Sequence, residues 1–132
     1  MTYSIVARDP KSGEFGVAVQ SHSFQVGPMV PWGRAGVGAV ATQADAEIRY
    51  GPMGLDLMAA GYPAGRALAA ALAADSKPET RQVAMVDRDT QIAVHTPREV
   101  HPRGRPPCGR RLQRPGQHDG EGDRLAGYGR GL

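Results

Sequence analysis

Apolar and polar residues alternate in two segments near the start of the chain. Thr2 to Arg8 shows this alternation, and Glu14 to Ser21 repeats it with an apolar residue in every second position. A period of two residues is typical of a strand that buries one face. The residues between the segments, 9–13, include a proline and a glycine, which favour a tight turn. We therefore predict a β-hairpin in which Asp9 is a turn former and not an acid.

The order of the later elements favours an α+β fold over alternating βαβ units. Two prolines and two glycines interrupt residues 23–34, which predicts a loop or an interrupted strand. Ala35 to Gln43 is a run of small residues suited to a strand buried closely against a neighbour. Helices are then predicted over Pro52–Ala60, with Gly61 as a C-cap, and Pro63–Ala74, and strands over Gln82–Val86 and Thr90–His95.

Residues 97–132 have a different composition. They contain eight Gly, eight Arg and five Pro, and they show neither a strand period nor a helix period. They also carry the basicity of the chain, because their net charge is +4 whereas residues 1–96 carry −1. This composition is typical of a disordered tail, and equally of a GC-rich gene translated in the wrong frame. Codons can be chosen for the residues from Val100 onward so that their +1 frame encodes an alternating segment and a helix-like segment. This favours the second explanation, translation in the wrong frame.

Four segments of the body carry a family resemblance. They are TYSIVARDP at 2–10, GVAVQSH at 16–22, VPWGRAGVGAVATQ at 30–43 and YGPMGL at 50–55. These motifs resemble the domain-of-unknown-function family numbered 1028, over residues 2–96. Such proteins are similar to Ntn hydrolases, whose fold is a four-layer αββα sandwich, and no family-wide substrate is established. The resemblance implies that residues 1–96 are the incomplete, N-terminal half of such a sandwich, followed by a disordered, out-of-frame tail over 97–132.

The resemblance also implies a catalytic residue. Removal of Met1 leaves Thr2 as a free N-terminal threonine, whose α-amine can act as the base for its own hydroxyl. The alternative is that Thr2 is only a β-branched residue that opens an edge strand. Ser21 and His22 end the second strand, where this fold places groups near the nucleophile, although two polar residues at a strand end is the plainer interpretation. Gln43 could orient a substrate amide, or it could be a buried side chain that hydrogen-bonds to the backbone.

Other site types are excluded on pattern. The G-x-G-x-x-A match over 36–41 does not open a helix, as a dinucleotide site requires. His95, His101 and His118 lack metal-ligand spacing, and the one cysteine, Cys108, excludes an internal disulfide and a Cys-rich zinc site. The tail arginines have no interleaved aromatics for specific nucleic-acid binding. We expect no cofactor, no metal and no membrane span, and a cytoplasmic location.

Four functions stay open at this point, the last of them an interaction protein that uses the arginines of residues 97–132. The first is an amide-bond hydrolase acting on a small amide or peptide. The second is a non-catalytic module of the same fold that binds a peptide, a cell-wall fragment or another small ligand, and the third is an inactive, truncated gene product. We expect residues 1–96 to supply roughly one sheet and its helices, so that an apolar face stays exposed unless a homo-oligomer covers it.

Overall fold

The computed structural model describes residues 1–96 and 125–131. Ten elements follow one another along this part of the chain. A short 3-10 helix, Pro78–Thr80, precedes β5. The others are β1 (Thr2–Arg8), β2 (Phe15–Ser21), β3 (Pro31–Arg34), β4 (Gly38–Ala44), α1 (Tyr50–Ala59), α2 (Ala64–Ala73), β5 (Arg81–Asp87), β6 (Ile92–His95) and β7 (Leu125–Gly131).

The predicted hairpin is confirmed. β1 and β2 pair antiparallel from Thr2 opposite Ser21 to Arg8 opposite Phe15. In the turn, Oδ1 of Asp9 accepts a hydrogen bond from the Lys11 amide at 2.8 Å, so Asp9 is a turn former as expected. Gly13 has a φ of 76°, a left-handed conformation that favours glycine. The hairpin thereby fixes the register that brings Thr2 beside Ser21.

The described strands form two antiparallel sheets. One has the order β2-β1-β7 and the other has the order β3-β4-β5-β6. The inner faces of the two sheets share an apolar cluster, to which β1 contributes Val6, β4 contributes Ala39 and Ala41, and β5 contributes Ala84 and Val86. Our expectation that residues 1–96 supply roughly one sheet was therefore wrong. They supply strands of both sheets, because the valines of the hairpin are buried against the small residues of β4 and β5.

The helices cover the other face of the second sheet. Leu55 and Met58 of α1 and Leu68 of α2 pack with Val40 and Met85, which alternate along their strands with the residues of the inter-sheet cluster. The described residues thus build three layers, a sheet, a second sheet and a helical layer. This is an α+β arrangement with antiparallel sheets, as predicted.

Some predicted boundaries shift. Helix α1 begins at Tyr50, two residues before the proline at which we predicted its start, because a proline in the first turn removes only an amide that has no helical partner. Gly61 has a φ of 94° after this helix, as expected for its C-cap. The segment 23–34 contains a real strand, β3, which pairs with β4 at the edge of the sheet.

The prediction of a wholly disordered tail over 97–132 is wrong at 125–131. These residues form β7, which pairs antiparallel with β1 from Thr2 opposite Gly131. The backbone of a glycine-rich segment can join a ladder without an alternating pattern of its own, so the sequence showed no period there. Residues 97–124 and Leu132 lie outside the described residues. In the described ranges each α-helix has ten residues, fewer than a membrane-spanning helix needs.

A buried ion pair between Arg81 and Asp75 connects the second sheet to the helical layer. Nε of Arg81 lies 2.6 Å from Oδ2 of Asp75, and the Tyr50 hydroxyl donates to the same oxygen at 3.0 Å. The hydrogen bond from Arg81 lowers the pKa of the Asp75 carboxyl well below its usual range. Burial, followed by the hydrogen bond to Asp75, raises the pKa of Tyr50. The Asp75 carboxylate, just after α2, therefore links the first turn of α1 and the start of β5.

Candidate active site

Thr2 lies on the central strand of the first sheet. β1 is flanked by β2 on one side and by β7 on the other, so the interpretation of Thr2 as the opening of an edge strand does not hold. Its side chain is half-buried and is on the same face of β1 as Val6, the face toward the second sheet. Oγ1 of Thr2 lies 2.9 Å from Oγ of Ser21 on the neighbouring strand.

Ser21 is held in turn by the backbone. Its Oγ accepts a hydrogen bond from the Ser23 amide at 3.1 Å. A hydroxyl that accepts such a bond becomes a better donor, because successive hydrogen bonds polarise one another. The arrangement suits Ser21 to donate to the Thr2 hydroxyl oxygen and to fix the rotamer of Thr2.

His22 contacts the amino terminus. The Met1 ammonium donates a hydrogen bond to Nδ1 of His22, and the His22 amide donates to the Met1 carbonyl oxygen at 3.4 Å. The Tyr3 hydroxyl donates to Sδ of Met1 at 2.6 Å. With Met1 in place, the nitrogen of Thr2 is part of a peptide bond and has no basic lone pair. Thr2, Ser21 and His22 therefore lie together, and the amine that chemistry at Thr2 requires becomes free only when Met1 is removed.

Gln43 lies on the second sheet and not within hydrogen-bonding contact of these residues. It is 2% exposed, and its Nε2 donates to Oε1 of Gln82 at 2.8 Å. Gln43 pairs with a side chain and not with the backbone. Its own Oε1 is buried and accepts no hydrogen bond from any described residue. Gln82 is a candidate residue that the sequence analysis missed. The alternation of β5 places it on the face of Ala84 and Val86, which was the available signal.

The amide pair and Thr2 lie toward the same end of the sandwich. Beyond the other end of β1, Nη1 of Arg8 donates to Oγ1 of Thr90 in the β5–β6 turn at 3.1 Å. Because β4 and β5 are antiparallel, Gln43 and Gln82 face each other at the end of the sheet away from that turn. Gln43 and Gln82 also belong to the inner face of their sheet by strand alternation. Polar side chains from both sheets therefore line one end of the inter-sheet core.

Of the remaining candidates, His95 has a structural contact. His95 lies 2.8 Å through Nε2 from the carbonyl oxygen of Pro78, while His101, His118 and Cys108 lie outside the described residues. The segment 36–41 is a turn followed by β4 and does not open a helix, as predicted. Two surface hollows of about 200 and 510 Å³ adjoin the start of α2 and the β1–β2 turn. Neither hollow is lined by Thr2 or by the other proposed site residues.

Comparison with known proteins decides the family. The model of the family of unknown function (DUF1028) matches residues 2–113. The chain belongs to this family. The DUF1028 match extends past residue 96, to which we had expected the resemblance to be confined. No match was found among curated proteins.

A solved structure supports the DUF1028 assignment. The chain is similar to a protein from Silicibacter pomeroyi whose crystal structure is also described as DUF1028, with a TM-score of 0.70 and 31% sequence identity. The similarity covers 74% of this chain and 46% of the Silicibacter protein. The chain thus spans about half the length of this relative, and the relative's description gives no activity.

Proposed function

We propose that this DUF1028 chain has an Ntn-hydrolase-like fold and that Thr2, freed by removal of Met1, is the nucleophile of an amide-bond hydrolase. The observation that carries the proposal is the 2.9 Å contact between the Thr2 and Ser21 hydroxyls, at a strand end where His22 meets the amino terminus. The three layers of the described fold are consistent with two sheets of such a sandwich and one of its helical layers. The proposed substrate is a small amide or a peptide.

The proposed chemistry uses the α-amine and the side-chain hydroxyl of one residue, Thr2. The free α-amine of Thr2 takes the proton of its own hydroxyl as Oγ1 attacks the carbonyl carbon of the amide. The C–N bond then breaks, and the departing nitrogen takes the proton back from the α-ammonium. A water molecule subsequently attacks the resulting ester, with the amine again as the base, and releases the carboxylic acid. Each cycle consumes one amide and one water, and it leaves Thr2 as it began.

Ser21 and His22 have separate proposed roles. Ser21 donates to Oγ1 of Thr2 and orients it toward the amine and the substrate, so it is a positioning residue. His22 contacts the Met1 ammonium, one residue before Thr2, and its proposed role is to hydrogen-bond the new amine of Thr2 once Met1 is removed. A group in that place holds the amine in the geometry that proton transfer requires.

The test is covalent labelling of the purified 132-residue chain. Intact mass first establishes that Met1 is lost, as is usual before a small second residue. The chain is then treated with a β-lactone electrophile, and the residue that carries the label is identified. We expect the label on Thr2, its retention in Thr2→Ser and its loss in Thr2→Ala. Thr90→Ala, a change of the same type at an exposed turn, is the matched control.

A second variant distinguishes the role of the free α-amine from that of the Thr2 hydroxyl. Insertion of a lysine between Met1 and Thr2 retains the initiator methionine and leaves the Thr2 hydroxyl in place without a free amine. We expect this chain not to be labelled. Labelling that persists in it, or no labelling of a chain that has lost Met1, would exclude Thr2 as an N-terminal nucleophile.

An inactive gene product is the second candidate, favoured by one observation. Residues 97–132 have a composition unlike that of the body. We propose that a frame change near the codons for Thr96 to Val100 produced this segment. Resequencing the source DNA there tests it, and an unaltered frame removes the proposal.

A further inference from the structure

The amide pair of Gln43 and Gln82 has hydrogen-bonding capacity that the described protein leaves unused. Both side chains are buried, at 2% and 3% exposure. One hydrogen bond joins them, but Oε1 of Gln43 is buried and accepts none from the described residues. Buried polar groups in proteins are nearly always paired, so a buried amide oxygen without a donor is a specific feature that calls for a partner.

The chemistry of that partner follows from the pair as a unit. The pair presents one buried amide oxygen, which needs an N–H, and one amide nitrogen, which can donate a further hydrogen bond. Exchanging N and O in both side chains keeps the internal hydrogen bond and only moves the oxygen and the nitrogen to the opposite members. In either arrangement the complementary group has an N–H donor next to a carbonyl acceptor. A carboxamide has both, whereas an ester or a carboxylate has no N–H.

We propose that Gln43 and Gln82 together bind a carboxamide group of the ligand, at the polar end of the inter-sheet core that Thr2 and Ser21 border from the other sheet. Hydrolysis of the bound amide rests on the proposed function, whereas binding of the amide does not. The substrate class is thereby narrowed to compounds with a primary or secondary amide. Gln82 becomes a specificity residue alongside Gln43.

The position of the pair supports a ligand site and not a purely structural cross-link. A structural cross-link between β4 and β5 at this point needs only the one hydrogen bond already present, because the backbone ladder pairs Gln43 with Gln82 directly. At this end of the core Thr2 and Ser21 on the facing sheet are half-buried, whereas Gln43 and Gln82 are buried. An amide bound there lies between the recognition pair and the proposed nucleophile.

The experiment compares two neutral probes of equal size, N-methylpentanamide and methyl pentanoate. They differ by the replacement of N–H with oxygen. Binding to the 132-residue Thr2→Ala chain is followed by chemical-shift titration, so that hydrolysis of either probe does not interfere. We expect the amide to bind at least tenfold more tightly than the ester. The double variant Gln43→Leu/Gln82→Leu, made in the same background, removes both polar groups and should abolish the difference.

Three outcomes overturn the inference. They are equal binding of amide and ester, a preference for the amide that persists in the double variant, and no binding of either probe. The last outcome would mean that Oε1 of Gln43 is hydrogen-bonded by water alone. If the double variant does not fold, Gln82→Met alone should still reduce the preference for the amide. Because the titration uses a chain without Thr2, failure of the labelling test removes the hydrolase and leaves amide recognition standing. Conversely, a labelled Thr2 without amide preference removes only the recognition.

Discussion

Oγ1 of Thr2 and Oγ of Ser21 lie 2.9 Å apart across the β1–β2 ladder, in positions that the hairpin register places directly opposite each other. Ser21 is itself fixed by the Ser23 amide. The Thr2 hydroxyl is therefore oriented by a residue that belongs to the same local hairpin. The contact is independent of the residues beyond 96.

Ser21→Ala tests the orientation of Thr2. Without the Ser21 hydroxyl, Oγ1 of Thr2 loses its side-chain partner, and a hydrogen bond is typically worth about 1 kcal/mol. We expect the rate of β-lactone labelling at Thr2 to fall about fivefold, the equivalent of that free energy. Ser76→Ala, at an exposed position after α2, should leave the rate unchanged. An unaltered rate in Ser21→Ala would show that Ser21 does not position the nucleophile.

Gly51→Ala tests the packing of α1 on β3. A Cβ at Gly51 would lie 2.3 Å from the ring of Trp32, which no methyl group can do without displacing the indole. Overpacking of this kind costs about 1–3 kcal/mol. We expect a corresponding decrease in the free energy of unfolding, measured in urea.

Gly65→Ala is the matched control for that substitution. It also lies in a helix, but a Cβ there meets no atom within 4 Å. Alanine is favoured over glycine in a helix by about 0.5–1 kcal/mol, so this variant should be more stable than the parent chain. If both variants are destabilised alike, Trp32 does not press on Gly51.

Asp75→Asn tests the buried ion pair with Arg81. The pKa of Asp75 is lowered in the folded state, so its contribution to stability is present above the ordinary carboxyl pKa of about 4 and is lost as the pH falls below it. We expect the parent chain to lose stability in that acid range. The variant should be less stable at neutral pH, by about 3 kcal/mol, and should lose less on acidification.

The measurement is the urea midpoint at several pH values between 7 and the acid range. Glu79→Gln removes an exposed carboxylate of the neighbouring 3-10 helix and serves as the control. Parallel pH profiles for the parent chain and Asp75→Asn would contradict the assignment of acid sensitivity to this pair.

Asp87→Ala tests the connection between β5 and α2. The buried carboxylate accepts hydrogen bonds from the amides of Ala64 at 2.8 Å, Asp89 at 3.0 Å and Gln91 at 2.8 Å. Its removal leaves the first turn of α2 and the β5–β6 turn without their acceptor, which should cost about 2–4 kcal/mol. Asp56→Ala, which breaks a solvent-exposed pair with Arg34, should cost less than about 1 kcal/mol. Similar losses in the two variants would contradict the central role of Asp87.

Association of the 132-residue chain is a further prediction. Ile5 lies on the face of β1 that points away from the second sheet, and the described residues place no helical layer on that face. We expect low solubility and a broad melting transition, or a dimer that covers this face. Sedimentation and a thermal melt measure both, and a sharp two-state melt of a soluble monomer would contradict the prediction.

Local sequence determined the hairpin and the placement of Thr2 beside Ser21. The alternation over Thr2–Arg8 and the turn residues after it set the strands and their register, because both act between neighbours along the chain. The same holds for the helices, whose buried stripes and Gly61 cap are visible as spacing. Local patterns also showed that 36–41 continues as a strand, which removed the nucleotide-binding interpretation.

Only the tertiary structure decided how the strands divide between two sheets. β3 is too short and too rich in proline and glycine to show a period, and it becomes a strand because β4 offers it an edge. β7 likewise takes its conformation from pairing with β1 and not from its own residues. The facing of Gln43 and Gln82 depends on the register of two strands separated by both helices. Contacts between residues so far apart are set by burial of the shared core, which no local pattern records.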